Sequence, residues 1–556
     1  MRLWLALVFA ALAACAAPPA QAPPAPAPVI PTPTLAAAES AYAELRDFRD
    51  RIEVAKAEGR RPAAALAQRH DALRSRLAAR LAAVDSSALA GDDARALGVM
   101  RLTLARDLGP LASACAGPSD CEGSAGPSEP AASPPDCAYD PTAIPTADSL
   151  RTRIYACYGW AQGHAAVGAD TLDRLSILGA LGRTEAAARR REMFLALDPV
   201  WRSINADDGP ASPYRRLIAL EVRARGSGEP PAAAQARATG IPPDSLEGWL
   251  LAVLSAWRDA TPDTLVEPWD WYWETGRASR ALSPRIPRER LAALNAAAWR
   301  ALGADVSALR VHYDLEPRDG KDPVAFTTFG ARAPAIEPWV FATYRTGGLD
   351  NLNELLHETG HAVHLAAIRT RPAFRDWPDS DPFTEAVADV VALDVYEPAW
   401  QQRWLGDSVP LAEGLRARYG GIVLDVAWAL FEVQMLRDPA ADPNQVWTAL
   451  TRDYLHIRPH PELSWWAMRG QLVDAPGYMM NYAAGAILIA AIRERIRALH
   501  GPFATGDPAW YGWVAPRLYR FGLERTTGEV IEGFLGGPVS PAALLEDMGR
   551  MRGEMR

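Results

Sequence analysis

The sequence predicts a mainly α-helical protein with one small β element. Two observations carry this. From about Leu35 to Asp107, and again over 148–198 and 245–300, apolar residues recur every three or four positions, the period of a helix with one buried face. Only Val324–Phe329 and Trp339–Tyr344 show the β-branched and aromatic runs of a strand. With 49% apolar and 22% charged residues, the 556-residue chain can bury a full-sized core. Its 58 Lys and Arg against 67 Asp and Glu give a net charge of −9, and no basic run is present, which argues against nucleic acid as the main partner.

In chain order, residues 1–15, MRLWLALVFAALAAC, are an address. Arg2 precedes an apolar run and then small residues, the layout of a secretory signal, too short to stay as a spanning helix. The end, Leu12-Ala13-Ala14-Cys15, resembles the lipobox of bacterial lipoproteins. That resemblance implies loss of residues 1–14 and a lipid anchor on Cys15, with an ordinary signal peptide as the alternative. Ala16 rather than Asp follows Cys15, so nothing resembles an inner-membrane retention signal, and the expected place is the outer membrane facing the periplasm. Residues 15–34 are an Ala/Pro-rich tether, extended at about 3.1 Å per residue.

The expected body is a helical lobe over 35–310 and a catalytic region over 311–556. The Leu172–Leu197 stretch suggests an antiparallel helix pair. Four cysteines, Cys115, Cys121, Cys137 and Cys157, lie in or near a Gly/Ser/Pro-rich loop at 115–137. An even number in an exported chain suggests two disulfides. Of the three connectivities, Cys115–Cys121 with Cys137–Cys157 is the most local; free thiols are the alternative. No C-x-x-C is present, which argues against metal at these positions.

The chemistry lies at 350–390. Gly347-Gly348 breaks the preceding strand, Asp350 is placed to cap a helix, and Leu352, Leu355, Leu356, Ala362 and Val363 give that helix an apolar face. On it stand His357, Glu358 and His361, an H-E-x-x-H. Histidines at i and i+4 project from one side and can share one Zn²⁺. Zinc lowers the pKa of a bound water to about 7, and Glu358 stands where it can take that proton. His364 is too far along the helix axis from His357 to share the ion, and it reads as a packing or supporting residue. After a Pro-rich loop comes a second helix, capped by Thr384 or Asp381, with Glu385 and Asp389 one turn apart. Two acids on an apolar helix are costly to bury unless paired or metal-bound. Glu385 as third ligand, with Asp389 accepting the other ring N–H of a ligand histidine, removes that cost. The alternative is two surface acids.

The block H-E-T-G-H-A-V-H followed by T-E-A-V-A-D-V-V-A-L resembles the angiotensin-converting-enzyme family of peptidases, and is similar to the thimet oligopeptidase and neurolysin family. The matching motifs span 323–492. The resemblance implies a two-lobed helical gluzincin with a deep channel and one zinc per chain. His357, His361 and Glu385 are then ligands, Glu358 is base and then acid, and Asp389 supports a ligand. Gly477-Tyr478-x-x-x-Tyr482 resembles the oligopeptidase segment whose Tyr hydroxyl donates to the reacting oxygen, with Tyr482 the first choice and Tyr478 the second. Both families carry a His several residues ahead of that pair that helps bind the substrate carbonyl; here the nearby positions are Leu472, Val473 and Asp474, leaving that role to His456 or His460, or empty. The strand at Ala325, Phe326 and Thr327 stands where those families run an edge strand beside the peptide. A carboxypeptidase mode needs a cation for the terminal carboxylate, and Arg345 and Arg469 are the candidates. The reading is a zinc metallopeptidase of the cell envelope acting on short peptides, of peptidyl-dipeptidase or oligopeptidase type. The alternative is a zinc-containing envelope lipoprotein that binds peptides or acts as a scaffold without catalysis.

Overall fold

Helices form where the three-to-four spacing places them, and the fold is mainly α, as predicted. The computed structural model describes residues 33–60, 64–111, 135–139, 146–318, 321 and 324–554. Cys15, Cys115 and Cys121 lie outside the described residues, as do the signal segment and nearly all of the tether.

Three N-terminal helices, α1 (Pro33–Ala57), α2 (Ala64–Ala82) and α3 (Gly91–Arg106), bury their stripes on one another through Leu45, Leu77, Leu97 and Met100. Phe374, from a distant loop, completes that core. A second apolar core gathers buried residues from Leu150 to Met551, and a third, smaller one joins Phe329, Ile336, Leu365 and Ile368. The axis of the second core is the helix Leu411–Arg437, which buries Tyr419, Val423, Val426, Leu430 and Phe431. That helix is long and apolar enough to cross a membrane, yet most of its apolar window is buried inside the protein. Each large apolar side chain removed from water there stabilises the fold by roughly 1.5–3 kcal/mol. The 172–197 stretch contains two short helices, Arg174–Leu181 and Ala187–Leu195. Cys137 is bonded to Cys157, the described half of the expected pairing.

Ion pairs seat the N-terminal bundle on the segment beside the H-E-x-x-H helix. Arg371 grips both oxygens of Glu39 at 2.8 and 2.9 Å and Asp93 at 2.7 Å. Arg46 pairs with Asp376 at 2.5 Å, and buried Arg332 pairs with Asp50. These pairs are mostly shielded from solvent, so removing one partner strands a charge.

The strands are shorter than predicted. β1 (Ala165–Val167) and β2 (Asp170–Leu172) form an antiparallel hairpin, and β3 (His312–Asp314) lies parallel to β5 (Trp339–Phe341). β4 (Phe326–Thr328) pairs antiparallel with the other side of β5, giving the order β3-β5-β4. β1, β2 and β3 carry no sequence signal, because three residues cannot establish an alternation. β4 is therefore an edge strand, and it packs against the H-E-x-x-H helix.

Candidate metal centre

The H-E-x-x-H helix runs Leu349–Ala367. Its N-cap is Gly348 at φ 111°, a conformation glycine adopts readily. Asp350 does not cap it; it sits in the first turn and accepts from Ser279 Oγ at 2.8 Å. The helix that follows, Asp381–Ala392, starts after Ser380. Neither expected cap serves there: Asp381 is its first residue, and Thr384 Oγ1 donates back to the Ser380 carbonyl at 3.0 Å.

The two helices touch backbone to backbone. A Cβ on Gly360 would lie 2.8 Å from the Ala388 Cα and closer still to the Ala388 carbonyl oxygen. Only glycine permits this approach, which brings the face bearing Glu385 and Asp389 against the two histidines. In the sequence Gly360 is simply the second variable position of the H-E-x-x-H. A glycine inside a helix costs about 1 kcal/mol against alanine, and that cost was the available signal.

Ligand-type atoms of His357, His361 and Glu385 all lie within 4.8 Å of one another. Glu385 Oε2 is 3.3 Å from His357 Nε2, and its Oε1 is 3.7 Å from His361 Nε2. Donors about 2.1 Å from a tetrahedral ion sit about 3.4 Å apart, so these three fit one zinc with a fourth position left for water or substrate. On the far side of the His357 ring, Nδ1 lies 2.7 Å from Asp389 Oδ1, which assigns the proton to Nδ1 and directs Nε2 to the ion.

The charges match that use. Burial works against a charged His357, but Asp389 and Glu385 outweigh it and raise its pKa well above the ordinary value. Burial, with His357 beside it, drops His361 to about 3, so it is neutral and ready to ligate. Burial would raise Glu385, but the two histidines prevail and lower it, keeping the carboxylate ionised.

Glu358 points into the same cavity of about 430 Å³, together with Ala325, Phe326, Thr327, Trp377 and Glu385. The Thr327 hydroxyl lies 2.8 Å from Glu358 Oε2 and 2.8 Å from the Glu358 carbonyl, so its side chain orients the carboxylate while its backbone stays on the edge strand. Burial pushes Glu358 up to about 7, against the pull of His357 and Thr327. Trp377 stands edge-on to His361 at 5.6 Å between centroids; its Pro-rich loop has no periodicity that could have announced it. His364 is buried and packs against Trp377, Phe383 and Tyr519, so it is a packing residue.

Other expected residues lie outside that lining. Tyr478 and Tyr482 stand 5.8 Å apart by ring centroid at the start of the helix Met479–His500. Burial raises both, pushing Tyr478 up to about 12, and the charge of Glu385 adds to each shift. Arg469 pairs with Asp425 and lies over Trp428, with Tyr482 6.0 Å away. Arg345 is exposed. His460 spends both ring nitrogens, on Glu267 at 2.8 Å and Glu462 at 2.6 Å, and His456 Nε2 meets the Arg258 carbonyl at 3.2 Å. Both histidines are thus committed to the segment pairing Val266 with Ile457.

No family model matches the chain, and no curated protein matches it. Solved structures do share its fold. The M32 carboxypeptidase from Deinococcus radiodurans R1 aligns with a TM-score of 0.55 at 17% identity, covering 94% of this chain and 100% of that one. Metallocarboxypeptidase 1 of Trypanosoma cruzi aligns at 0.51 and 12% identity, covering 93% and 99%. The helical fold is therefore shared with these proteins along nearly its whole length. The similarity to the converting-enzyme and thimet families rests on the motif residues alone.

Proposed function

We propose that the protein is a zinc-dependent metallopeptidase that shortens peptides from the C-terminus. The observation that carries this is the meeting of His357, His361 and Glu385 around one point, with the Glu358 carboxylate beside it. A zinc ion bound there supplies Lewis-acid polarisation and acidifies water. Glu358 takes the proton of the attacking water as it adds to the scissile carbonyl carbon, and returns it to the amine nitrogen as the C–N bond breaks. Burial sets Glu358 near neutrality, where a base and acid work in turn. A hydroxyl from Tyr482 or Tyr478 donates to the carbonyl oxygen as its charge grows. The edge of β4 that no strand among the described residues covers aligns the peptide. The C-terminal register is supported by full-length likeness to carboxypeptidase folds.

An envelope location with a lipid on Cys15 rests on residues 1–15, and a disulfide between Cys137 and Cys157 suits an exported chain. The test is mass spectrometry of a peptide mixture with wild type, with chelator, and with Glu358→Gln. Loss of single C-terminal residues, abolished by chelator and lowered about 10²–10⁴-fold in Glu358→Gln at full zinc occupancy, is expected. Unchanged hydrolysis by Glu358→Gln overturns the assignment of the base, and zinc binding without any cleavage overturns the peptidase.

A further inference from the structure

Glu432 is a buried acid on the helix Leu411–Arg437 that the chemistry above does not use. It is 3% exposed, and no cation pairs with it among the described residues. Isolated burial of a carboxyl group is costly unless its oxygens are occupied. Both are. The Gly477 backbone N–H donates to Oε1 at 2.8 Å and the Met479 N–H donates to Oε2 at 2.8 Å. These two residues bracket Tyr478, at the turn where the chain enters the helix Met479–His500. Gly477 is at φ 97°, a left-handed conformation that frees its N–H to point at the acid. Tyr482 follows one turn later, its ring 5.8 Å from that of Tyr478.

We propose that Glu432 is a positioning residue that clamps this turn from behind and so fixes where the Tyr478 and Tyr482 hydroxyls stand relative to Glu385. The inference rests on the peptidase reading for its catalytic consequence, but the clamp itself does not. One carboxyl group holding two N–H groups on either side of a residue leaves that residue little freedom. A displacement of about 1 Å at a catalytic donor costs about 100-fold in rate. Glutamine at 432 keeps the length but offers one acceptor oxygen where the acid offers two, so one of the two bonds is lost.

The experiment compares wild type and Glu432→Gln, each also in a Tyr478→Phe/Tyr482→Phe background, with zinc content and thermal unfolding measured on all four. Backbone hydrogen exchange over 477–482 should be faster by about tenfold in Glu432→Gln, with the zinc helices unchanged. Its kcat on short peptides should fall about 10–100-fold at unchanged KM, and this fall should vanish when both hydroxyls are already absent. An equal fall in both backgrounds, or unaltered exchange at 477–482, overturns the proposal. If Glu432→Gln does not fold, Glu432→Asp, which keeps the carboxyl group on a shorter side chain, is read in the same way. Faster exchange in a protein that cleaves no peptide would leave the clamp standing and defeat the peptidase reading instead.

Discussion

Asp389 offers the sharpest test of the metal centre, because it touches the site only through His357. Glu385 and Asp389 stand one helical turn apart and hold opposite edges of the same imidazole, at 3.3 Å on Nε2 and 2.7 Å on Nδ1. The ring is 19% exposed and Asp389 30%, so the Nδ1 bond is partly shielded from water. Outer partners of a ligand histidine are worth roughly 10–100-fold in metal affinity, or about 1.4–2.8 kcal/mol. Asparagine keeps a carbonyl acceptor for Nδ1–H but loses the charge, so Asp389→Asn should loosen zinc about tenfold. Alanine leaves the ring unheld, and Asp389→Ala should approach about 100-fold. Competition against a chromophoric chelator measures both, with circular dichroism to show that the helices persist. If Asp389→Ala binds zinc within about twofold of wild type, the ring is not held through this bond and the supporting role is refuted.

Gly360→Ala should act at a distance from any ligand atom. Its methyl collides with the Ala388 backbone, so the two helices must separate; an overpacking cost of about 1–3 kcal/mol in urea unfolding should accompany weaker zinc binding. Stability falling while zinc affinity holds would mean that the approach serves packing alone. Zinc binding should also be linked to pH through His357. Its pKa is raised in the zinc-free fold, so its ion pairs stabilise that form fully below about 6.5 and are lost as pH rises through the raised value. Zinc must displace that proton, so affinity should rise with pH over the same window, by up to about tenfold per unit. Calorimetry in buffers of differing ionisation enthalpy should show about one proton released, and no release would show that His357 is already neutral.

Much of the centre was legible because its rules are local. His357, Glu358 and His361 share a helix, and a spacing of four places both rings on one side whatever surrounds it. Glu385 and Asp389 were legible for an energetic reason, since acids on the helix with Phe383, Val387 and Val390 need partners. The short strands failed on length: three residues of His312–Asp314 carry no alternation, and their strand character comes from β5 alongside. Asp350 looked like a cap because its type suits one, but Gly348 already supplied the turn and Ser279 took the carboxylate. Arg469 is by sequence a candidate for a terminal carboxylate, yet it is held by Asp425, a residue 44 positions earlier that no motif connects to it.

By itself, then, the order of residues determined the helical class, the pair of histidines with their base, and the acids one turn apart, because each depends on periodicity within a single element. Tertiary structure alone decided that Gly360 admits the Ala388 backbone, that Thr327 orients Glu358, and that Glu432 holds the turn around Tyr478. Those contacts join residues far apart in the chain, and their geometry comes from how whole helices and a strand edge settle against one another in packing a common core.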